Sequence, residues 1–296
     1  MIGIIPAKTI ITHTAHPETW FGNTYNMNIY RGCCHGCIYC DSRSACYHVE
    51  NFDKIVAKEN ALTIIEKELK SKRKKGLVGT GAMSDPYNPQ EGKYRFTEGA
   101  LQLIDRYGFG VNVITKSDLV VRDIVLLKRI NMHAPVGIGI TITIADDNLA
   151  ARIEPAAPAS SRRFAAIRNL TEQGIYAGIL MTPILPFISD NPENISAIIR
   201  LAAENGARFI YPAFGMTLRE GQREYYYRAV ERLYPGLSRK YIETFGNSYQ
   251  CLSPSHQSLD KFFQRECEHL NIPYRMPDII QGISNSAGGR QLGLGF

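Results

Sequence analysis

Short runs of β-branched and aromatic residues alternate along this chain with longer windows whose apolar residues recur at i, i+3 and i+4. A repeated switch between the two periods calls for strands that run the same way, with a helix crossing back between them. The expected class is therefore α/β around a mostly parallel sheet. Candidate strands fall at residues 25–30, 77–82, 110–114, 136–143, 176–181 and 208–211. Helical windows occupy 54–70, 97–107, 121–130, 161–173 and 193–205. After residue 211 the pattern turns helical and aromatic-rich, as at Tyr225-Tyr226-Tyr227. Gly and Ser crowd residues 282–290, which predicts a flexible stretch. The chain thus divides into an N-terminal segment 1–22, a core 23–212, a C-terminal helical extension 213–281 and a flexible tail 282–296.

A length of 296 residues suits one core of barrel size with room for a small extension, and a hydrophobic share of 44% excludes a disordered or collagen-like chain. The balance of 34 basic against 28 acidic residues is mildly positive, a net charge of +6. Much of that excess sits in Lys70-Ser71-Lys72-Arg73-Lys74-Lys75, which reads as cations solvating a helix C-terminus rather than as a phosphate-binding patch. No apolar run approaches the roughly 18 residues of a membrane span. The start Met1-Ile2-Gly3-Ile4-Ile5-Pro6 lacks the features of a secretory signal, so the expected compartment is the cytoplasm. There the seven cysteines are expected as thiols or ligands, not bridges.

The chemistry concentrates in Arg31-Gly32-Cys33-Cys34-His35-Gly36-Cys37-Ile38-Tyr39-Cys40, directly after the first candidate strand. Cys33, Cys37 and Cys40 bring three thiolates into one loop, whereas a [4Fe-4S] cluster normally takes four from the protein. One iron is then open to an outside ligand, as in a working metal site rather than a structural one. Gly32 and Gly36 give the loop the positive-φ freedom that wrapping a cluster requires. The competing arrangement is a zinc knuckle completed by His35 or Cys34. Zinc sites usually pair two ligand clusters, and Cys46, Cys251 and Cys267 show no second CxxC.

These residues resemble the radical S-adenosylmethionine (SAM) superfamily, whose CxxxCxΦC motif carries an aromatic before the last cysteine, here Tyr39. Further motifs resemble the branch related to spore photoproduct lyase, without making the chain that lyase. They are Met83-Ser84-Asp85-Pro86-Tyr87, Ile114-Thr115-Lys116-Ser117, Arg152-Ile153-Glu154-Pro155 followed by Arg163, and Thr182-Pro183-Ile184-Leu185-Pro186. The resemblance implies a partial (β/α)6 barrel of the TIM type, a [4Fe-4S] cluster, and S-adenosyl-L-methionine chelating the open iron through its amino and carboxylate groups. It implies reductive cleavage of that cofactor, hydrogen abstraction by the 5′-deoxyadenosyl radical, and an external electron donor such as flavodoxin or ferredoxin. By position, Cys33, Cys37 and Cys40 would hold the cluster and Tyr39 would lie near the adenine. Ser84 and Asp85 would meet the amino group, Lys116 the carboxylate, and Thr141 would add a hydroxyl. Glu154 and Arg163 read as a supporting ion pair.

One departure bears on the reaction. Spore photoproduct lyases carry a hydrogen-donating cysteine two positions before the second-strand serine, where this chain has Ala82. Tyr87, Tyr211 and Cys251 are the candidate donors in its place. The chain ends Gln291-Leu292-Gly293-Leu294-Gly295-Phe296, which resembles the bacterial sliding-clamp-binding hexapeptide through Gln291, Leu292, Leu294 and Phe296. The leading expectation is a radical SAM enzyme, lyase-type, that repairs or processes DNA lesions. The alternatives are radical modification of RNA, a peptide or a small molecule, and a non-catalytic metal-binding or redox-sensing protein.

Overall fold

The computed structural model describes residues 2–289. It opens with β1 (Gly3–Ile5) and β2 (Ile11–His13), followed by β3 (Tyr25–Met27), β4 (Tyr30–Arg31) and β5 (Val56–Lys58). Strand and helix then alternate through α1 (Ala61–Ser71), β6 (Leu77–Thr80), α2 (Glu91–Tyr94), α3 (Phe96–Arg106), β7 (Gly110–Thr115), α4 (Ile124–Asn131) and β8 (Val136–Thr141). The alternation continues with α5 (Asp147–Ile153), α6 (Ser160–Glu172), β9 (Tyr176–Met181), α7 (Pro192–Glu204) and β10 (Ile210–Pro212). Last come β11 (Gly215–Thr217), α8 (Gln222–Leu233), α9 (Leu237–Phe245), β12 (Gln250–Leu252), α10 (His256–His269) and α11 (Met276–Ser284).

The main sheet has the order β10-β9-β8-β7-β6-β3-β2. Every pair from β3 to β10 is parallel, and β2 adds an antiparallel edge. Six successive parallel strands linked by helices form the partial (β/α)6 barrel that the family resemblance implies. All of β8 and nearly all of β7 and β9 are buried, which is why these strands read as near-continuous apolar runs. One face packs on the helices through Ile65, Leu101, Leu127, Ile167 and Ile198. The other face encloses Leu77, Leu180 and Phe209 together with Phe21, Ile279 and Ile283. Helix α11 can lie there because β8 offers a glycine: a Cβ on Gly137 would stand 2.9 Å from Ile283 Cδ1. Burying Ile279 and Ile283 stabilises this packing by about 1.5–3 kcal/mol for each side chain.

Four expectations need correction. The candidate strand 25–30 splits: Tyr25–Met27 joins the main sheet, while Tyr30–Arg31 enters a separate sheet of order β1-β5-β4. The window 54–70 begins as β5, and its helix starts only at Ala61, after Asn60 turns the chain with φ 51°. The C-terminal extension is not helical throughout, since β11 and β12 pair as an antiparallel ribbon. The stretch expected to be flexible from 282 is helix to Ser284, and Ser286 then bonds both backbone groups of Val136 at 3.0 and 3.2 Å. Apolar burial on the sheet overrides the Gly/Ser composition there. The hexapeptide Gln291–Phe296 lies outside the described residues. Among the described residues, no helix is long and apolar enough to cross a membrane.

Candidate functional site

A cavity of about 620 Å³ opens where the parallel strands end. Its wall takes Ser84 and Asp85 after β6, Lys116 after β7, Thr141 from β8, Thr182 and Pro183 after β9, and Ala213 after β10. Loops at the carboxyl ends of strands are where sheets of this type collect binding groups, because the helices cover the flanks. The loop after β4 supplies another side, including Cys33, Cys37, Tyr39 and Cys40.

That loop is held by its backbone. Cys33 N–H donates to the Phe52 carbonyl at 2.8 Å, Ile38 N–H to Ile153 at 3.0 Å, and Cys40 N–H to Cys37 at 3.3 Å. Gly32 and Gly36 have φ of 78° and 72°. A Cβ on Gly32 would stand 2.7 Å from the carbonyl oxygens of both Phe52 and Lys54, so that turn accepts no side chain. Three thiols face one cavity, while Cys34 is not in its wall and packs against the main core instead. Among the described residues, no three His, Cys, Asp or Glu side chains gather closely enough to hold a single metal ion. Thiols set around a cavity fit a multi-iron cluster better than one zinc ion. His35 is no fourth ligand, because its Nε2 lies 3.1 Å from Asp85 Oδ2. Burial pushes the thiols of Cys33, Cys37 and Cys40 up, Cys33 to about 12 with Asp85 adding to the effect, so a cationic centre is needed to keep them ionised.

Asp85 is bonded within the protein. Its Oδ1 accepts from the Thr115 hydroxyl at 2.6 Å and the Tyr87 amide at 2.9 Å. Its Oδ2 accepts from the Lys116 amide at 2.8 Å and faces His35. A carboxylate has about four acceptor sites; protein donors take three of them, and His35 Nε2 stands beside Oδ2 without a well-aligned hydrogen bond. Burial alone would raise this carboxyl, but His35, the Lys116 amide and the Thr115 hydroxyl hold it at about 2. Asp85 thus links the ends of β6 and β7 and stands against His35 of the cysteine loop. Its neighbour Ser84 also faces the cavity, with its hydroxyl donating to the Gly32 carbonyl at 2.5 Å and its oxygen lone pairs left to accept.

Behind Tyr39 lies a buried ionic network. The Tyr39 hydroxyl donates to Glu154 Oε1, and Glu154 Oε2 pairs with Arg163 Nη2 at 2.6 Å. Arg163 also donates to the carbonyls of Thr141 at 3.0 Å and Pro158 at 2.7 Å. The supporting ion pair expected from the sequence is thus present, and it fixes both the aromatic ring and the end of β8. Lys116 Nζ stands 5.5 Å from the centre of the Tyr39 ring. Burial would pull this lysine down, but negative charge on Cys37 and Glu154 holds it above its ordinary value.

The hydrogen-donor candidates fare differently. Tyr87 is fully buried, outside the cavity wall, and donates to Asp123 Oδ2 at 2.9 Å. Cys251 lies on β12 between Gln250 and Leu252, which do line the cavity, so the strand's two-residue period turns its thiol the other way. Tyr211 stands one layer back, its ring edge-on to Trp20 at 5.6 Å. Ala82 is in the wall itself. Sequence reasoning missed Trp20, Phe214, Met216, Gln250 and Leu252, all cavity-lining. Only the solitary tryptophan was a visible signal. From Thr141 onward in the chain the wall residues are uncharged; Asp41, Asp85 and Lys116 come earlier, and Asp41 meets the later group through the Thr217 hydroxyl. The basic run at residues 70–75 precedes β6 and so lies toward the end of the sheet away from the cavity.

Comparison with known proteins agrees with this arrangement. A model of the radical SAM superfamily matches residues 27–202. An uncharacterized protein of Mycobacterium tuberculosis is 27% identical over 242 residues, covering 79% of this chain and 71% of its own length. Another, from Methanocaldococcus jannaschii, is 35% identical over 190 residues, covering 63% of this chain and 68% of its own. Among solved structures, spore photoproduct lyase complexed with dinucleoside spore photoproduct superposes with a TM-score of 0.62 at 15% identity, covering 90% of this chain and 78% of the lyase. The radical SAM methyltransferase TsrM from Kitasatospora setae gives 0.55 at 10% identity, covering 81% and 51%.

Proposed function

The chain belongs to the radical SAM superfamily, whose cofactors are a [4Fe-4S] cluster and S-adenosylmethionine, and from that premise we propose that it is a radical enzyme acting on DNA lesions. When bound, the two cofactors supply one-electron cleavage of the sulfonium and an adenosyl radical able to take a hydrogen atom from substrate. The chain's own residues hold and orient. Cys33, Cys37 and Cys40 would hold the cluster, three thiolates leaving room for the cofactor to bind it, while Cys34 packs toward the main core. Lys116 presents a cation to the cofactor's carboxylate, and Ser84 and Thr141 offer hydroxyl oxygens along the wall. The Tyr39 ring, anchored through its hydroxyl by Glu154, forms a fixed flat surface for the adenine. Electrons come from an external donor such as flavodoxin or ferredoxin.

The observation that carries the radical chemistry is the trio of thiols in the wall of a cavity at the strand ends. The DNA substrate draws on two weaker supports: the fold shared with spore photoproduct lyase and the clamp-like hexapeptide Gln291–Phe296. A final hydrogen donor on the same chain is best sought at Tyr211, whose ring packs against Trp20 of the cavity wall. One observation favours the second reading, modification of an RNA, a peptide or a small molecule. Among the described wall residues Lys116 is the one Lys or Arg, and the basic run lies away from the cavity, so phosphate attraction has little foothold beside it.

The test has two parts. Anaerobically reconstituted protein should contain iron and sulfide and release 5′-deoxyadenosine from S-adenosylmethionine under dithionite; absence of both rejects radical chemistry. Pull-down of the bacterial sliding clamp should be lost in Gln291→Ala/Phe296→Ala. Unchanged capture, together with no turnover of ultraviolet-irradiated DNA, would move the substrate to the second reading.

A further inference from the structure

We propose that Gln222 is a positioning residue for the cysteine loop, tying the peptide unit before Cys40 to the wall of the cavity that faces it. The inference rests on Cys33, Cys37 and Cys40 being the cluster ligands, as proposed above. Gln222 opens α8 and is fully buried, although it lies 183 residues from its partner Tyr39. Its carboxamide nitrogen donates to the Tyr39 carbonyl at 2.9 Å and to the Thr217 carbonyl at 2.8 Å. Its oxygen accepts from the Arg219 amide at 2.9 Å. Both N–H groups are therefore spent, one on the cysteine loop and one on the end of β11.

The Tyr39–Cys40 peptide is gripped from both sides, because Cys40 N–H reaches the Cys37 carbonyl while Gln222 holds the Tyr39 carbonyl. Neighbouring bonds repeat the connection. The Thr217 hydroxyl donates to Asp41 Oδ1 at 3.0 Å, and the Ala45 amide donates to the Glu220 carbonyl at 2.9 Å. Residues 217–222 thus clamp residues 39–45, and β11 carries Met216 and Thr217 into the cavity wall. Without the amide of Gln222, a buried carbonyl next to Cys40 has lost its donor and the peptide must turn to find another. Hydrogen bonding and solvent access around the ligands tune such clusters, so the turn should register in the cluster itself.

The experiment uses the full chain, reconstituted without oxygen, as wild type, Gln222→Met and Gln264→Met. Methionine keeps the length of glutamine and removes its donors. Gln264 bonds Asp260 on α10, outside the cavity wall, and serves as the matched control. We expect Gln222→Met to take up iron, to lose its colour in air roughly tenfold faster than wild type, and to shift the electron paramagnetic resonance signal of the reduced cluster. Gln264→Met should match wild type. A Gln222→Met protein identical to wild type in both readouts, or a Gln264→Met protein shifted equally, overturns the proposal. Should Gln222→Met fail to fold, hydrogen exchange on wild type decides: iron loading should protect amides in 217–222 together with those in 39–45, and protection confined to 39–45 overturns it. A wild-type chain that takes up no iron overturns the ligand assignment and this proposal with it.

Discussion

His35 Nε2 lies 3.1 Å from Asp85 Oδ2, joining the loop that carries the cysteines to the end of β6 at a point closed to solvent. The same carboxylate also takes the Thr115 hydroxyl and the amides of Tyr87 and Lys116. Asp85→Asn and His35→Ala should each lower the stability of the cluster-free protein by about 1–3 kcal/mol, since each leaves buried polar groups unmatched. The double variant should cost less than the sum, because the two changes remove one shared contact. Urea unfolding measures all three, and strict additivity would show that the pair does not interact.

Glu154 and Arg163 form the other buried tie. Arg163→Met strands a carboxylate in the interior and should cost about 3–5 kcal/mol, read as a lowered melting temperature. Burial works to raise Glu154, but Arg163, Lys116 and the Tyr39 hydroxyl together hold it below the ordinary carboxylate range. A value lower in the folded than in the unfolded chain means that this contribution is complete above that range and drains away as pH falls below it. Glu154→Gln should therefore flatten the acid limb of the stability profile; an unchanged limb would assign it to other carboxylates.

Cys37→Ala should abolish iron binding and all cleavage of S-adenosylmethionine. Cys267→Ala, at a buried position outside the cavity wall, should do neither. Iron and sulfide analysis after anaerobic reconstitution separates them, and loss of iron from the second variant would mean that the ligands are wrongly assigned.

Lys116→Ala should leave the cluster in place and weaken cofactor binding roughly tenfold or more, as expected for a lost charged hydrogen bond. Calorimetric titration of the reconstituted protein checks this, and an unchanged affinity would remove Lys116 from the binding role.

Much of this arrangement was legible because it is local. The spacing of Cys33, Cys37 and Cys40 and the run of alternating periods each sit within a short window, and strand 176–181 appears as expected. What stayed hidden depends on distance along the chain. Nothing near Asp85 announces that His35 and the Lys116 amide will stand against its oxygens. Polar residues flank Cys251 in the sequence, and pairing of β12 with β11 decides which way its thiol turns. The glycines and serines after 281 suggested mobility, and only the docking of Ile283 beside Gly137 makes that stretch helical. Gln222 lies in an unremarkable polar stretch, and its importance comes entirely from what it meets.

Trp20 is the sole indole in the chain, and it stands in the cavity wall. Light absorbed selectively by tryptophan is therefore emitted from a single known spot beside the reaction space. Any cofactor or substrate that enters will change the colour or intensity of that emission, so occupancy can be followed in unlabelled protein, with or without turnover.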